Sequence, residues 1–219
     1  MTAYHHGHLR EALIAGALEL IEELGVEGLT IRGLAEHVGV SHAAPQHHFA
    51  DKAALLVAIA TEGFVALVRA LEDQASRADP AEAFAAMGRT YVEFAFASPQ
   101  RYRLMFAADL PELKALDEAF CAASEAAFDH LTRTIARYLR EPDTTGTRVM
   151  EAAFFAWATV HGAVMLHLDG TFPRAVNIVG VAVATDAMME GLLRHVALGL
   201  RPDSGSDQTE TGGTRSADV

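Results

Sequence analysis

The sequence predicts an all-α protein of about nine helices, with a three-helix N-terminal unit followed by a larger helical bundle. Apolar residues recur at three- and four-residue steps along most of the chain, which places them on one face of each helix. No stretch alternates apolar and polar residues as a strand does. Hydrophobic residues make up 51% of the 219 residues, which is enough for an ordinary core.

The first three helices are expected between residues 9 and 50. The first runs from Leu9 until Gly25, a favourable C-terminal stop. Thr30 is the predicted N-cap of the second helix and Gly39 its end, while Ser41 caps a short third helix. Because Pro45 lacks a backbone donor, we expect that third helix to be short or slightly bent. The predicted apolar face of the first helix comprises Leu9, Leu13, Ala17, Leu20 and Leu24.

The later helices are separated by prolines, glycines and polar loops. From residue 201 the composition changes to Gly, Ser, Thr and acidic residues, which predicts a disordered tail. The predicted division of the chain is residues 1–55, residues 56–200 and the tail 201–219. Helices are expected to begin at Lys52, Pro80, Pro99 and Pro111, with a loop at 141–146 and two last helices at 147–168 and 175–198.

Residues 30–56 carry the most specific pattern, two short helices that meet at Gly39. A glycine there can supply the positive φ that a helix-turn-helix bend needs. In that motif His42, Gln46 and His47 would reach base edges, and Lys52 a backbone phosphate. The alternative is two ordinary helices of an all-helical core. The predicted DNA contacts are Thr30, Arg32, Ser41, His42, Ala43, Ala44, Gln46, His47 and Lys52.

The charge balance argues against strong non-specific binding of DNA. The net charge is −12, and residues 1–55 hold three Lys or Arg against seven Asp or Glu. The single cysteine, Cys121, excludes a disulfide within the chain and with it a secreted disulfide scaffold. The N-terminus lacks an apolar signal segment, and the apolar stretch 152–168 is shorter than the ~20 residues of a spanning helix. We therefore expect a cytoplasmic protein with no membrane segment.

The stretch from Leu9 to Leu56 resembles the DNA-binding domain of the TetR family. The resemblance implies a homodimer whose third helices enter successive major grooves of a two-fold symmetric operator, about 34–36 Å apart. It also implies that Thr30, Ser41 and Lys52 hold phosphates. Gln46 stands where the family usually carries an aromatic residue. The matching residues are Ala12, Ala17, Leu24-Gly25, Thr30, Leu34-Ala35, Gly39-Val40-Ser41, His48-Phe49, Lys52 and Leu55-Leu56.

Aromatic and sulfur-containing side chains concentrate after residue 90. Such groups can line an apolar ligand cavity between helices, although a plain core has the same composition. The segment from Trp157 to Gly162 resembles the signature of a TetR subgroup whose C-terminal domain is named for Trp, His and Gly, as does the segment from Ser98 to Met105. The predicted ligand contacts are Phe94, Tyr102, Met105, Phe106, Phe120, Phe128, Trp157, His161 and Met165.

By analogy with the family, the last two long helices are expected to form the dimer contact. Residues 176–183 are apolar nearly all round, as a helix buried against a partner would be. The function that the resemblance implies is a homodimeric repressor released from its operator by a small apolar effector. The predicted dimer contacts are Phe155, Val164, Val179, Val183 and Met188.

Two other functions remain open at this point. His5, His6 and His8 could bind a metal ion in a metal-responsive regulator, although neither a cysteine nor a full ligand set accompanies them. An enzyme could use His161 with Glu151, but about 15 Å of helix separates these two residues. No phosphate loop, nucleophile elbow or paired metal motif supports an enzyme, and we expect no cofactor and no metal.

Overall fold

The computed structural model describes residues 8–75, 79–107, 117–172 and 185–201. In these ranges the chain forms eight α-helices and one short 3-10 helix, which confirms the all-α prediction. The α-helices are α1 (Leu9–Gly28), α2 (Ile31–Val38), α3 (Lys52–Ala75), α4 (Pro80–Ala97), α5 (Pro99–Phe106), α6 (Glu118–Leu139), α7 (Thr147–Leu168) and α8 (Thr185–Gly199); the 3-10 helix is Pro45–His47.

Local capping explains where several helices begin and end. The Thr30 hydroxyl accepts a hydrogen bond from the Gly33 amide at 3.0 Å, which confirms the predicted N-cap of α2. Gly39 ends α2 in the left-handed region with φ 76°. Asp51 caps α3 by accepting from the Ala54 amide at 2.8 Å, an interaction that the sequence analysis missed. Pro80 takes the predicted first-turn position of α4.

The first helix differs from the prediction in its buried face. Gly25 breaks it as expected, with φ 75° and ψ 169°, but the chain is helical again as far as Gly28. The buried side chains are Leu13, Ile14, Ala17, Leu18 and Ile21. Leu24, predicted on the apolar face, is 54% exposed and directly precedes the break in the helix at Gly25.

Buried side chains form two clusters. The first cluster, the N-terminal core, is formed mainly by α1, α2 and the first turns of α3. The second cluster, the C-terminal core, lies among helices α3 to α8. Leu56 and Ile59 of α3 belong to the first cluster, whereas Phe64 and Leu67 of the same helix belong to the second. The predicted division at residue 55 thus falls in the first turn of a continuous helix, and it stays a prediction.

Two helical segments, Lys52–Asp73 and Thr147–Leu168, are long and apolar enough to cross a membrane by length and composition alone. The charge-free stretch 152–168 is shorter than a membrane-spanning helix, whereas the full helix α7 is long enough to be one. Core helices of water-soluble proteins pass the same test, and 56% and 39% of these two segments are buried inside the protein. Three predicted elements lie outside the described residues: the helix start at Pro111, the first part of the last helix at 175–184, and the tail beyond Arg201.

Candidate functional site

A tight turn joins α2 to the segment expected to bind DNA. The Gly39 amide donates to the Ala35 and Glu36 carbonyls, and the Val40 amide donates to the Ala35 carbonyl at 2.9 Å. On its other side α2 packs closely against α1, because a Cβ at Gly16 would lie only 2.7 Å from Val38 Cγ2. These contacts set the direction in which the chain leaves α2.

The third helix predicted from Ser41 is wrong as an α-helix. Residues 42–44 form a turn, and only Pro45–His47 are helical, in the 3-10 form. Pro45 has no amide proton for the Ser41 carbonyl, so the first α-helical bond of this short segment cannot form. Instead the Ala44 amide donates to the Ser41 carbonyl at 2.9 Å and the His47 amide to the Ala44 carbonyl at 3.2 Å.

The polar side chains of this segment face solvent. Pro45 and Phe49 are buried and anchor it to the N-terminal core. Glu36, which the sequence analysis missed, engages two predicted DNA contacts: Arg32 Nε donates to Glu36 Oε1 at 3.0 Å, and His42 Nε2 lies 4.0 Å from the same oxygen. Thr30, Arg32, Ser41, His42, Ala43, Gln46 and His47 are exposed, and Ala44 and Lys52 are half-buried.

A cavity of about 740 Å³ lies between α3, α4, α5, α6, α7 and α8. That volume is within the usual range for small-molecule sites. Five predicted ligand contacts line it, namely Met105, Phe106, Phe120, Phe128 and Trp157. Phe94, Tyr102, His161 and Met165 are not among its lining residues. The sequence analysis missed the wall that α3 supplies with Phe64, Leu67 and Leu71.

Aromatic rings meet edge to face around the cavity. The Phe64 ring lies 5.4 Å from Phe106 and 5.5 Å from Phe120, both nearly perpendicular to it. Phe128 meets Trp157 at 6.1 Å in the same manner. Such pairs stabilise one another beyond the area that they bury. They therefore hold the wall in shape around the space that they enclose.

One polar network interrupts this apolar wall. The Tyr102 hydroxyl lies 2.8 Å from the Tyr91 hydroxyl and 2.7 Å from His161 Nδ1, and the Tyr91 hydroxyl lies 3.1 Å from that nitrogen. Tyr102 and Trp157 act to lower the pKa of Tyr91, but burial has the larger effect. Burial raises the pKa of Tyr91 to about 12 and raises that of Tyr102 further, so both hydroxyls keep their protons. Burial also lowers the pKa of His161, which favours a neutral imidazole that can accept.

Stability is expected to fall in mild acid through two histidines, the buried His130 and the half-buried His161. Burial lowers the pKa of His161 and of His130 below 6.5, so the unfolded chain binds more protons than the folded one. The resulting stabilisation is present above about pH 6.5 and is lost as the pH falls toward the lowered values. Urea unfolding at pH 7.5 and pH 5.5 measures the difference. His161→Gln should flatten the dependence, whereas His195→Gln, at an exposed position, should leave it unchanged; equal slopes in both variants would contradict this account.

The predicted dimer contacts differ in exposure. Phe155 of α7 is 49% exposed and Met188 of α8 is half-buried, whereas Val164 is fully buried within its own chain and has no surface to offer a partner. Val179 and Val183 lie outside the described residues. Large apolar side chains are nevertheless exposed on α7 and α8, at Phe154, Phe155, Leu166 and Leu198.

The alternative sites receive no support from the described residues. No group of three His, Cys, Asp or Glu in those ranges is placed to hold a metal ion, and His5 and His6 lie outside them. His161 Nδ1 faces two tyrosine hydroxyls, while Glu151 is exposed on the far part of α7.

Two family models match the chain. Residues 13–59 match the model for bacterial regulatory proteins of the tetR family. Residues 84–196, more than half of the chain, match the model for a tetracyclin repressor-like C-terminal domain. Together they cover the N-terminal core and nearly all of the cavity wall.

Curated relatives include regulators that match over part or most of the chain. Tetracycline repressor protein class C from Escherichia coli is 55% identical over 51 residues, which are 23% of this chain and 23% of the repressor. The chain thus aligns with less than a quarter of that repressor's length. An uncharacterised HTH-type transcriptional regulator of Mycobacterium tuberculosis is 24% identical over 211 residues, which are 94% of this chain and 86% of the relative.

Solved structures share the whole architecture. A protein of unknown function from Rhodococcus sp. RHA1 has a TM-score of 0.74 and 31% identity, over 91% of this chain and 98% of that one. AibR, solved in complex with isovaleryl coenzyme A and operator DNA, has a TM-score of 0.60 and 17% identity, over 85% and 96% of the two chains. At that identity the likeness to AibR shows the fold alone.

Proposed function

Because the chain belongs to the TetR family of DNA-binding transcriptional regulators, we propose that it is a homodimeric repressor that a small apolar effector releases from its operator. The observation that carries the proposal is the exposed polar segment 41–47, held by the Gly39 turn at the end of α2 within the region that matches the tetR model. The cavity supports the effector, and AibR, of the same fold, was solved with both a ligand and operator DNA.

The proposal assigns parts of the chain as follows. Residues 1–55 bind DNA, and residues 56–200 bind the effector and dimerise. Gln46 and His47 read base edges, while Lys52, Thr30 and Ser41 hold phosphates. The exposed apolar face of α7 and α8, which includes Phe155, packs against the partner. The proposal also includes membership of the subgroup named for Trp, His and Gly, which the resemblance of Trp157–Gly162 supports, and a place of action in the cytoplasm.

Selection of bound duplexes from a random pool tests the proposal. The expected result is a two-fold symmetric consensus with half-sites about 34–36 Å apart, because a homodimer presents the same segment twice. Gln46→Ala and His47→Ala should change the consensus, whereas Lys52→Ala should weaken binding to all sequences alike. The selection is made at low salt, since the chain is acidic.

Each part of this experiment can fail separately. An asymmetric consensus would contradict the homodimer, and identical sequence profiles for the Gln46 and Lys52 variants would contradict the division into reading and phosphate contacts. A protein that prefers no duplex at low salt would overturn the regulator assignment for this chain.

A further inference from the structure

The cavity meets the polar network at one side chain. Of Tyr91, Tyr102 and His161, only Tyr91 is among the lining residues. Tyr102 is fully buried behind it. A molecule in the cavity therefore meets this network at Tyr91.

The protons of the network decide what Tyr91 can offer. The Tyr102 hydroxyl donates to the Tyr91 oxygen at 2.8 Å, and His161 Nδ1 is a second acceptor within its reach when the imidazole proton sits on Nε2. The shorter contact to Nδ1, 2.7 Å, comes from Tyr102, and the longer, 3.1 Å, from Tyr91. When a bound molecule brings an oxygen to Tyr91, the Tyr102 hydroxyl turns from Tyr91 to His161, and the Tyr91 proton then donates to that molecule.

Two of the other hydroxyls of the wall are already used. Ser124 donates to the Cys121 carbonyl at 2.9 Å, and Thr132 donates to the Asp129 carbonyl at 3.1 Å. The charged lining residues among those described are both acidic, Glu125 and Asp129, and both are exposed. A buried anion needs a paired charge or several hydrogen bonds, and this wall supplies neither.

We propose that the effector is an uncharged, largely apolar molecule with a carbonyl or ether oxygen, and that Tyr91 recognises this oxygen by donating its hydroxyl proton. Tyr102 is the positioning residue, because a turn of its hydroxyl from Tyr91 to His161 releases the Tyr91 proton. The inference rests on the proposed effector function of the cavity and adds the chemical class of the ligand. It makes Tyr91 the residue that distinguishes an oxygenated ligand from a hydrocarbon of the same shape.

A matched set of small probes tests the proposal on the full chain. Valerophenone carries a ketone, pentylbenzene replaces that carbonyl by a methylene, and 4-butylbenzoate carries an anionic group on a similar frame. Each probe competes with the neutral fluorophore N-phenyl-1-naphthylamine, and loss of its fluorescence reports displacement. In Tyr91→Phe the affinity for valerophenone should fall about 3- to 10-fold relative to wild type, the value of one hydrogen bond, while that for pentylbenzene stays the same. The unaltered protein should bind 4-butylbenzoate at least roughly 10-fold more weakly than valerophenone.

Two further variants keep the test decisive. Tyr102→Phe should reproduce the selective loss of ketone affinity, because Tyr91 must then donate to His161. If Tyr91→Phe does not fold, Tyr102→Phe takes its place in the test. A merely structural role would weaken ketone and hydrocarbon alike. Ser124→Ala, which removes a lining hydroxyl already bonded to its own helix, should change neither affinity.

The outcomes separate this inference from the function on which it rests. Equal shifts for ketone and hydrocarbon in both tyrosine variants, or an anion that binds as tightly as the ketone, would overturn the ligand class and leave the effector site standing. A protein that selects an operator but binds neither the fluorophore nor any probe would overturn both the ligand class and the effector role, while DNA binding stands.

Discussion

Replacing Tyr102 by alanine is expected to lower the free energy of unfolding by about 3–5 kcal/mol, the usual loss for a large buried aromatic side chain. The Tyr102 ring is fully buried, and its centroid lies 5.1 Å from that of Phe106. Its hydroxyl contacts both Tyr91 and His161. The alanine variant leaves a cavity in the C-terminal core and removes a partner from that network. Urea unfolding of the full chain measures the loss.

Tyr102→Phe is the matched control, because it keeps the ring and removes only the hydroxyl. We expect a loss of about 1–2 kcal/mol, since Tyr91 can still donate to His161. If the alanine variant were no less stable than the phenylalanine variant, the ring would contribute nothing to the core, contrary to its burial.

Leu34→Ala is expected to cost about 2–5 kcal/mol of unfolding free energy. Leu34 is the fully buried leucine of α2, and it packs in the N-terminal core with Leu13 and Ile21. Its loss loosens α2 against α1 and with it the turn at Gly39, so affinity for a selected operator should fall as well. Urea unfolding and a gel-shift titration with that operator measure the two effects.

Leu24→Ala provides the comparison for the same chemical change. Leu24 is 54% exposed, so the expected change lies within about 0.5 kcal/mol and operator affinity should be unaltered. Similar losses in the two variants would show that α2 is not held by the contacts described for Leu34.

Helix ends could be predicted because they depend on neighbouring residues. The Thr30 cap, the left-handed Gly39 and the prolines that open α4 and α5 act within one turn of their own positions. Pro45 changes its segment more than the expected short or slightly bent helix. A segment of six residues between Ser41 and His48 has too few helical bonds to lose one and remain an α-helix. The buried face of α1 needed the tertiary structure, because two overlapping sets of apolar residues share its helical spacing.

The cavity could be predicted only in part, because its wall also depends on how separate helices pack together. The many aromatic side chains of α5, α6 and α7 indicated a cavity. Phe64 and Leu67 of α3 gave no such indication, because their sequence pattern is equally typical of an ordinary core. The network of Tyr91, Tyr102 and His161 joins residues 59 and 70 positions apart, a separation that helical spacing within one element cannot reveal. Tyr91 was one aromatic residue among many in the sequence, and only its neighbours distinguish it.

The continuity of α3 limits how regulators of this design can be recombined. A chimaera joined at residue 55 would take Leu56 and Ile59 from the foreign parent, although both fill the N-terminal core. Leu104, far along the chain on α5, fills the same core. A graft of the N-terminal portion onto another effector-binding half therefore has to carry the opening turns of α3 and a compatible residue at position 104.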